Sequence, residues 1–135
     1  MTQSPLILLV DDEPVLTETL VQIFEGEGFR SVTAADGISA IRMAEEARPD
    51  VVICDVMMPG TNGVEAAKEI QRLIPGIPIY LFSGQAAAAG LIEAAKSEGN
   101  HFQVLAKPIR PEFLVSVIRQ QLQASSAMPD LQPKE

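Results

Sequence analysis

The chain is punctuated by unbroken apolar runs: Leu6-Ile7-Leu8-Leu9-Val10, Val51-Val52-Ile53-Cys54 and Ile79-Tyr80-Leu81-Phe82. A strand with one wet face would alternate apolar and polar residues, so these runs predict strands covered on both faces. Two shorter segments, Ser31 to Ala34 and Phe102 to Ala106, predict further strands. Between the strands the period becomes helical. Val15, Leu16, Thr19, Leu20, Ile23 and Phe24 recur at helical spacing after Pro14, and Gly26 and Gly28 stop the run. Asp36-Gly37 turns into a second helix marked by Ile38, Ile41, Met43, Ala44 and Ala47, which halts before Pro49. A third runs from about Val64 to Ile74, closed by Pro75-Gly76. The alanine-rich stretch Gln85 to Glu98 predicts a fourth, weakened in its middle by Gly90. A fifth follows Pro111, with Phe113, Leu114, Val117, Ile118 and Leu122 on one face. From Ser125 to Glu135 the periodicity gives way to Ser, Pro and charge, which predicts a flexible tail or the start of a linker after a single domain over residues 1–124.

Five apolar strands alternating with five helices predict an α/β fold: a parallel sheet with helices on both faces. The common doubly wound, flavodoxin-like order for five strands is 2-1-3-4-5, with its switch point between strands 1 and 3. Ligands bind at such a point, outside the carboxyl ends of the strands. The residues at those ends therefore matter most. Strand 1 ends in Asp11-Asp12, strand 3 in Asp55, strand 4 in Ser83-Gly84 and strand 5 in Lys107-Pro108. In the 2-1-3-4-5 order Asp11, Asp12 and Asp55 converge, and neighbouring strands lie only about 4.8 Å apart. Their mutual repulsion is relieved by protonation or by a cation, and Mg²⁺, a hard ion with oxygen ligands, suits the set. Pro108 biases Lys107 towards extended geometry and so helps to fix where its ammonium points.

Composition narrows the classes. Of the 135 residues 47% are hydrophobic and 21% charged, a globular balance, and the formal net charge is −8. That charge disfavours direct binding of nucleic acid or an anionic membrane, both of which call for a basic patch. It does suit a site that gathers carboxylates around a cation. Cys54, alone of its kind and inside a buried strand, reads as a small core residue in a reducing compartment. With no signal-type segment and no apolar run of membrane-spanning length, a cytoplasmic location is expected. His101, the one histidine, reads as a loop residue before strand 5.

On the acidic pair Asp11-Asp12, the segment Asp55-Val56-Met57-Met58-Pro59-Gly60, Ser83-Gly84 and Lys107-Pro108, the chain resembles the CheY-like response-regulator receiver domains of bacterial two-component signalling. The resemblance covers roughly Pro5 to Gln123. It implies that Asp55 accepts a phosphoryl group from a phosphohistidine on a sensor histidine kinase or a histidine phosphotransfer protein. Asp12, Asp55 and the main-chain carbonyl of Met57, with Asp11 acting through water, would hold Mg²⁺. Lys107 would pair with the phosphate and Ser83 would hydrogen-bond one of its oxygens. The surface around the fourth helix, fifth strand and fifth helix would then change and meet a downstream protein. One position departs from the family pattern. Where an aromatic ring is usual, three residues before the Lys, this chain has Val104. Either backbone shifts alone carry the switch, the preferred reading, or a bulge in strand 5 lets Phe102 serve.

Rival classes leave different traces. A Mg²⁺-dependent phosphatase with an Asp nucleophile typically carries a second acid two residues on, where this chain has Met57. A flavin or nucleotide carrier wants a Gly- or Ser/Thr-rich phosphate loop after strand 1, where Asp11-Asp12-Glu13 would repel the phosphate. A receiver-like interaction module that is not phosphorylated is the remaining alternative.

Overall fold

The computed structural model describes residues 4–58, 62–84, 93, 102–106 and 110–131. Five strands are present: β1 (Leu6–Val10), β2 (Arg30–Ala34), β3 (Val51–Asp55), β4 (Ile79–Ser83) and β5 (Gln103–Ala106). They form one parallel sheet in the order β2-β1-β3-β4-β5, the common doubly wound order expected for five such strands. Among the described residues there are four helices: α1 (Pro14–Gly26), α2 (Gly37–Ala47), α3 (Gly63–Leu73) and α4 (Pro111–Leu131). The predicted helix over Gln85 to Glu98 lies outside the described residues except for Glu93, and His101 and Lys107 lie outside them too.

Every residue of β1 and of β3 is buried, because successive side chains enter opposite cores. Leu8, Val10, Val52, Cys54 and Leu81 pack with Ala40 and Ala44 of α2 and Val64, Ala67 and Ile70 of α3. Ile7, Leu9, Ile53, Tyr80 and Phe82 pack on the other side with Leu20 and Phe24 of α1 and Leu114, Val115 and Ile118 of α4. The helices begin where the sequence supplies a start signal. Pro14 opens α1, the Asp36 carboxylate accepts from the Ser39 N–H at 2.8 Å to cap α2, and Asn62 accepts from Glu65 N–H at 2.8 Å to cap α3.

Val15, Ile38 and Phe113, which share the helical spacing of their helices' apolar residues, are exposed. Each sits in the first turn of its helix, at the rim where the sheet ends, and periodicity specifies a face without specifying depth along the axis. The backbone of α4 continues to Leu131, into the segment whose loss of periodicity predicts a tail.

Candidate functional site

The acidic site follows from register. Val10 of β1 pairs with Cys54 of β3, so the next residues, Asp11 and Asp55, emerge side by side at the carboxyl edge of the sheet. Both carboxylates are buried, with 3% and 4% exposure, whereas the neighbouring Asp12 is exposed. One carboxylate oxygen from each of Asp11, Asp12 and Asp55 lies within 4.8 Å of the others. Each buried acid is oriented by its own loop. Asp11 Oδ1 accepts from the Glu13 N–H at 2.9 Å, and Asp55 Oδ1 accepts from the Met57 N–H at 3.2 Å. Both are Asx-type contacts to the residue two further on, which help to hold each carboxylate at its strand end.

Negative charge is concentrated here. Like charges at such a separation cost about 3–4 kcal/mol per fully ionised pair at an effective dielectric constant of about 20. The adjacent Cys54 feels the same field: its thiol is pushed up to about 12 by burial first and then by the charges of Asp55 and Asp11. The donor set fits a hard divalent cation. It consists of carboxylate oxygens only, two buried and one open to solvent, which matches the habit of Mg²⁺ of keeping water beside one or two carboxylates.

The other predicted residues are placed as follows. Met57 lies in the loop directly after Asp55, with its side chain exposed. Phe82 of β4 pairs with Asp55, so Ser83 stands one step further towards the same rim, half-buried and paired with Ala106 of β5. Lys107 would follow Ala106, outside the described residues. β5 keeps an unbroken one-to-one register from Gln103 to Ala106, so the strand bulge that would let Phe102 serve at the position of Val104 is absent. Phe102 instead packs against the core on the α2–α3 side, and Val104 is 43% exposed. The sequence does not single out Gly63 as part of the site. Gly63, the first residue of α3, lies directly against the backbone of Asp55.

Residues 7–119 match the family model of the response regulator receiver domain. The chain is similar to the DNA-binding response regulator MtrA of Mycolicibacterium smegmatis, at 32% identity over 128 residues, covering 95% of this chain and 55% of that protein. It is 32% identical over 124 residues to the transcriptional regulatory protein GlrR of Escherichia coli, covering 92% of this chain and 28% of that one. The chain thus spans about half, or less, of the length of these relatives. Among solved structures, the chemotaxis protein CheY4 of Vibrio cholerae superposes with a TM-score of 0.76 at 28% identity, covering 87% of this chain and 98% of that one.

Proposed function

The chain belongs to the response regulator receiver family, and from that premise we propose that it is a phosphorylatable switch whose acceptor is Asp55. The family is one of regulatory domains, so the chemistry to account for is the chain's own modification. The observation that carries the reading is the buried Asp55 carboxylate, held at a strand end within 4.8 Å of two further acids. A carboxylate oxygen of Asp55 attacks the phosphorus of a phosphohistidine. The new O–P bond forms as the P–N bond breaks, and the imidazole leaves with the electron pair and takes up a proton. Phosphoryl transfer depends mainly on positioning and charge neutralisation, and the Met57 N–H bond to Oδ1 orients the nucleophile.

Asp12, Asp55 and the carbonyl of Met57, with Asp11 through water, would hold Mg²⁺, which when bound neutralises the charge gathered between acceptor and phosphoryl oxygens. Lys107 pairs with the phosphoryl group and Ser83 hydrogen-bonds one of its oxygens. Their inward movement shifts the loops after β4 and β5 and alters the surface formed by residues 85–98, β5 and α4. With Val104 exposed on a regular β5, this output travels through backbone shifts in place of a rotating ring.

The phosphoryl donor is a sensor histidine kinase or a histidine phosphotransfer protein, and the receiver of the signal is a protein docking on the altered surface. Exposed Met57, two residues after Asp55, gives the donor an apolar foothold. We place the switch in the cytoplasm. No described helix is long and apolar enough to cross a membrane.

The test is intact mass after incubation with acetyl phosphate, with and without Mg²⁺, beside Asp55→Asn. One phosphoryl adduct that needs both Mg²⁺ and Asp55 is expected. No adduct from acetyl phosphate or from the cognate kinase would overturn the reading in favour of an interaction module that is not phosphorylated.

A further inference from the structure

The residue that brings α3 up to the acceptor strand is a glycine, and its backbone conformation does not explain why. A Cβ built on Gly63 would lie 1.9 Å from the carbonyl oxygen of Asp55, 2.8 Å from its carbonyl carbon and 3.0 Å from Cα of Val56. All three atoms are main chain, so no rotamer change can make room. Two further contacts converge on the same place. The Gly63 N–H donates to the Val56 carbonyl at 2.7 Å, tying the first turn of α3 to the residue after the acceptor. The buried Cys54 thiol lies 3.4 Å from the Asp55 carbonyl oxygen and 3.9 Å from that of Gly63. The Asp55 carbonyl is thus enclosed between the bare Cα of Gly63 and the thiol of Cys54.

That enclosure acts on the site through the chain. Fixing the Asp55–Val56 peptide fixes the start of the loop whose next amide, Met57 N–H, holds Asp55 Oδ1 at 3.2 Å. α3 is itself anchored to the sheet by buried Val64, Ala66, Ala67 and Ile70. Its docking therefore sets where the carboxylate and the Met57 main chain stand. We infer that Gly63 is a positioning residue for the acceptor loop, with Cys54 as the underside of the same clasp, and that the metal-binding geometry at Asp55 and Met57 depends on it. The inference rests on the reading of Asp55 as a Mg²⁺-assisted phosphoryl acceptor and explains what holds that acceptor in place.

The test is Gly63→Ala in the full chain, compared with the wild type in three ways: cooperative thermal unfolding, Mg²⁺ affinity by calorimetry, and exchange protection of the Met57 amide in metal-free protein by NMR. The residues that support metal ligands typically contribute one to two orders of magnitude to affinity, so a still-folded Gly63→Ala is expected to bind Mg²⁺ roughly tenfold more weakly or worse. It is also expected to lose protection at Met57. Wild-type Mg²⁺ affinity and wild-type Met57 protection in a folded variant would overturn the inference, because a merely structural glycine would lower stability alone. Should Gly63→Ala fail to fold, Cys54→Ala removes the thiol and leaves the glycine contact intact. It is expected to weaken Mg²⁺ binding by about threefold, the scale of a weak hydrogen bond, and unchanged affinity and Met57 protection would overturn the clasp. Failure of the acceptor reading is seen separately, as absence of a phosphoryl adduct on the wild type; the metal-free amide measurement still decides the role of Gly63.

Discussion

Asp55 and Cys54 are consecutive on β3, so their side chains leave on opposite sides of the sheet. The thiol enters the core on the α2–α3 side while the carboxylate turns to the rim. The acid's charge still reaches the thiol, which is why burial and the Asp55 and Asp11 charges together hold it near 12. Two outcomes follow at this scale. Cys54 in the folded chain should resist a thiol reagent at pH 8 and react only on unfolding; rapid native labelling would contradict its placement. Stability should also depend on alkaline pH with a definite sign. Below the thiol's ordinary value of 9.0 both states are protonated, and above it only the unfolded thiol ionises. Stability is therefore lost as pH rises from about 9 towards about 12, and Cys54→Ala should remove that slope from the pH dependence of the melting temperature. Met57 has the opposite character: apolar yet 39% exposed, two residues after the acceptor. A flexible apolar chain beside a phosphoryl group obstructs the approach of water. Met57→Asn, which can hydrogen-bond a water there, should shorten the aspartyl-phosphate lifetime severalfold as followed by mass after donor removal. An unchanged lifetime would remove Met57 from the account.

α3 shows how an element links fold and site. Its cap, Asn62 accepting from Glu65 N–H at 2.8 Å, sits beside Gly63. Losing a side-chain cap costs about 1 kcal/mol, and here it also frees the turn that presses on Asp55. Asn62→Ala should lower the unfolding free energy read from urea melts by that amount and raise the Mg²⁺ dissociation constant, whereas Asn62→Ser, which keeps an acceptor oxygen, should restore most of both. At this scale it becomes clear what the chain's pattern discloses. β1 and β3 are legible because burial on both faces leaves an unbroken apolar run, and Asp11 and Asp55 stand out because charge ends those runs. The convergence of the two acids follows once the strand order is known. The close approach at Gly63 is not legible, since Asn-Gly reads equally well as an ordinary turn and only tertiary packing shows the missing Cβ to be needed. The exposure of Val15, Ile38 and Phe113 is not legible for a related reason: a helical period reports a direction around the axis, and whether a sheet lies beneath the first turn is a property of the assembled layers.

For the molecule as a whole, the fold holds three carboxylates together in a chain that already carries a formal net charge of −8. Folding therefore opposes electrostatics at the place where we propose that a cation and a phosphoryl group are received. Replacing Asp55 with Asn keeps the shape and keeps an oxygen that can accept from the Met57 N–H, while removing one of the repelling charges. Each close pair costs about 3–4 kcal/mol at an effective dielectric constant of about 20. Solvent at exposed Asp12 and salt screening lower that figure. Asp55→Asn should therefore melt higher than the wild type in metal-free buffer, by an amount equivalent to about 1–3 kcal/mol. Mg²⁺ should reverse the comparison. A ligand that binds only the folded state at a hundredfold excess over its dissociation constant adds about 2.7 kcal/mol, and the variant, with one carboxylate fewer, should gain much less. Thermal melts of both proteins across a Mg²⁺ titration read the two effects together. If Asp55→Asn is the less stable protein without metal, the three acids are not in conflict in the folded chain. If Mg²⁺ leaves the wild-type melting temperature unchanged, the cluster does not hold the cation on which acceptance at Asp55 depends.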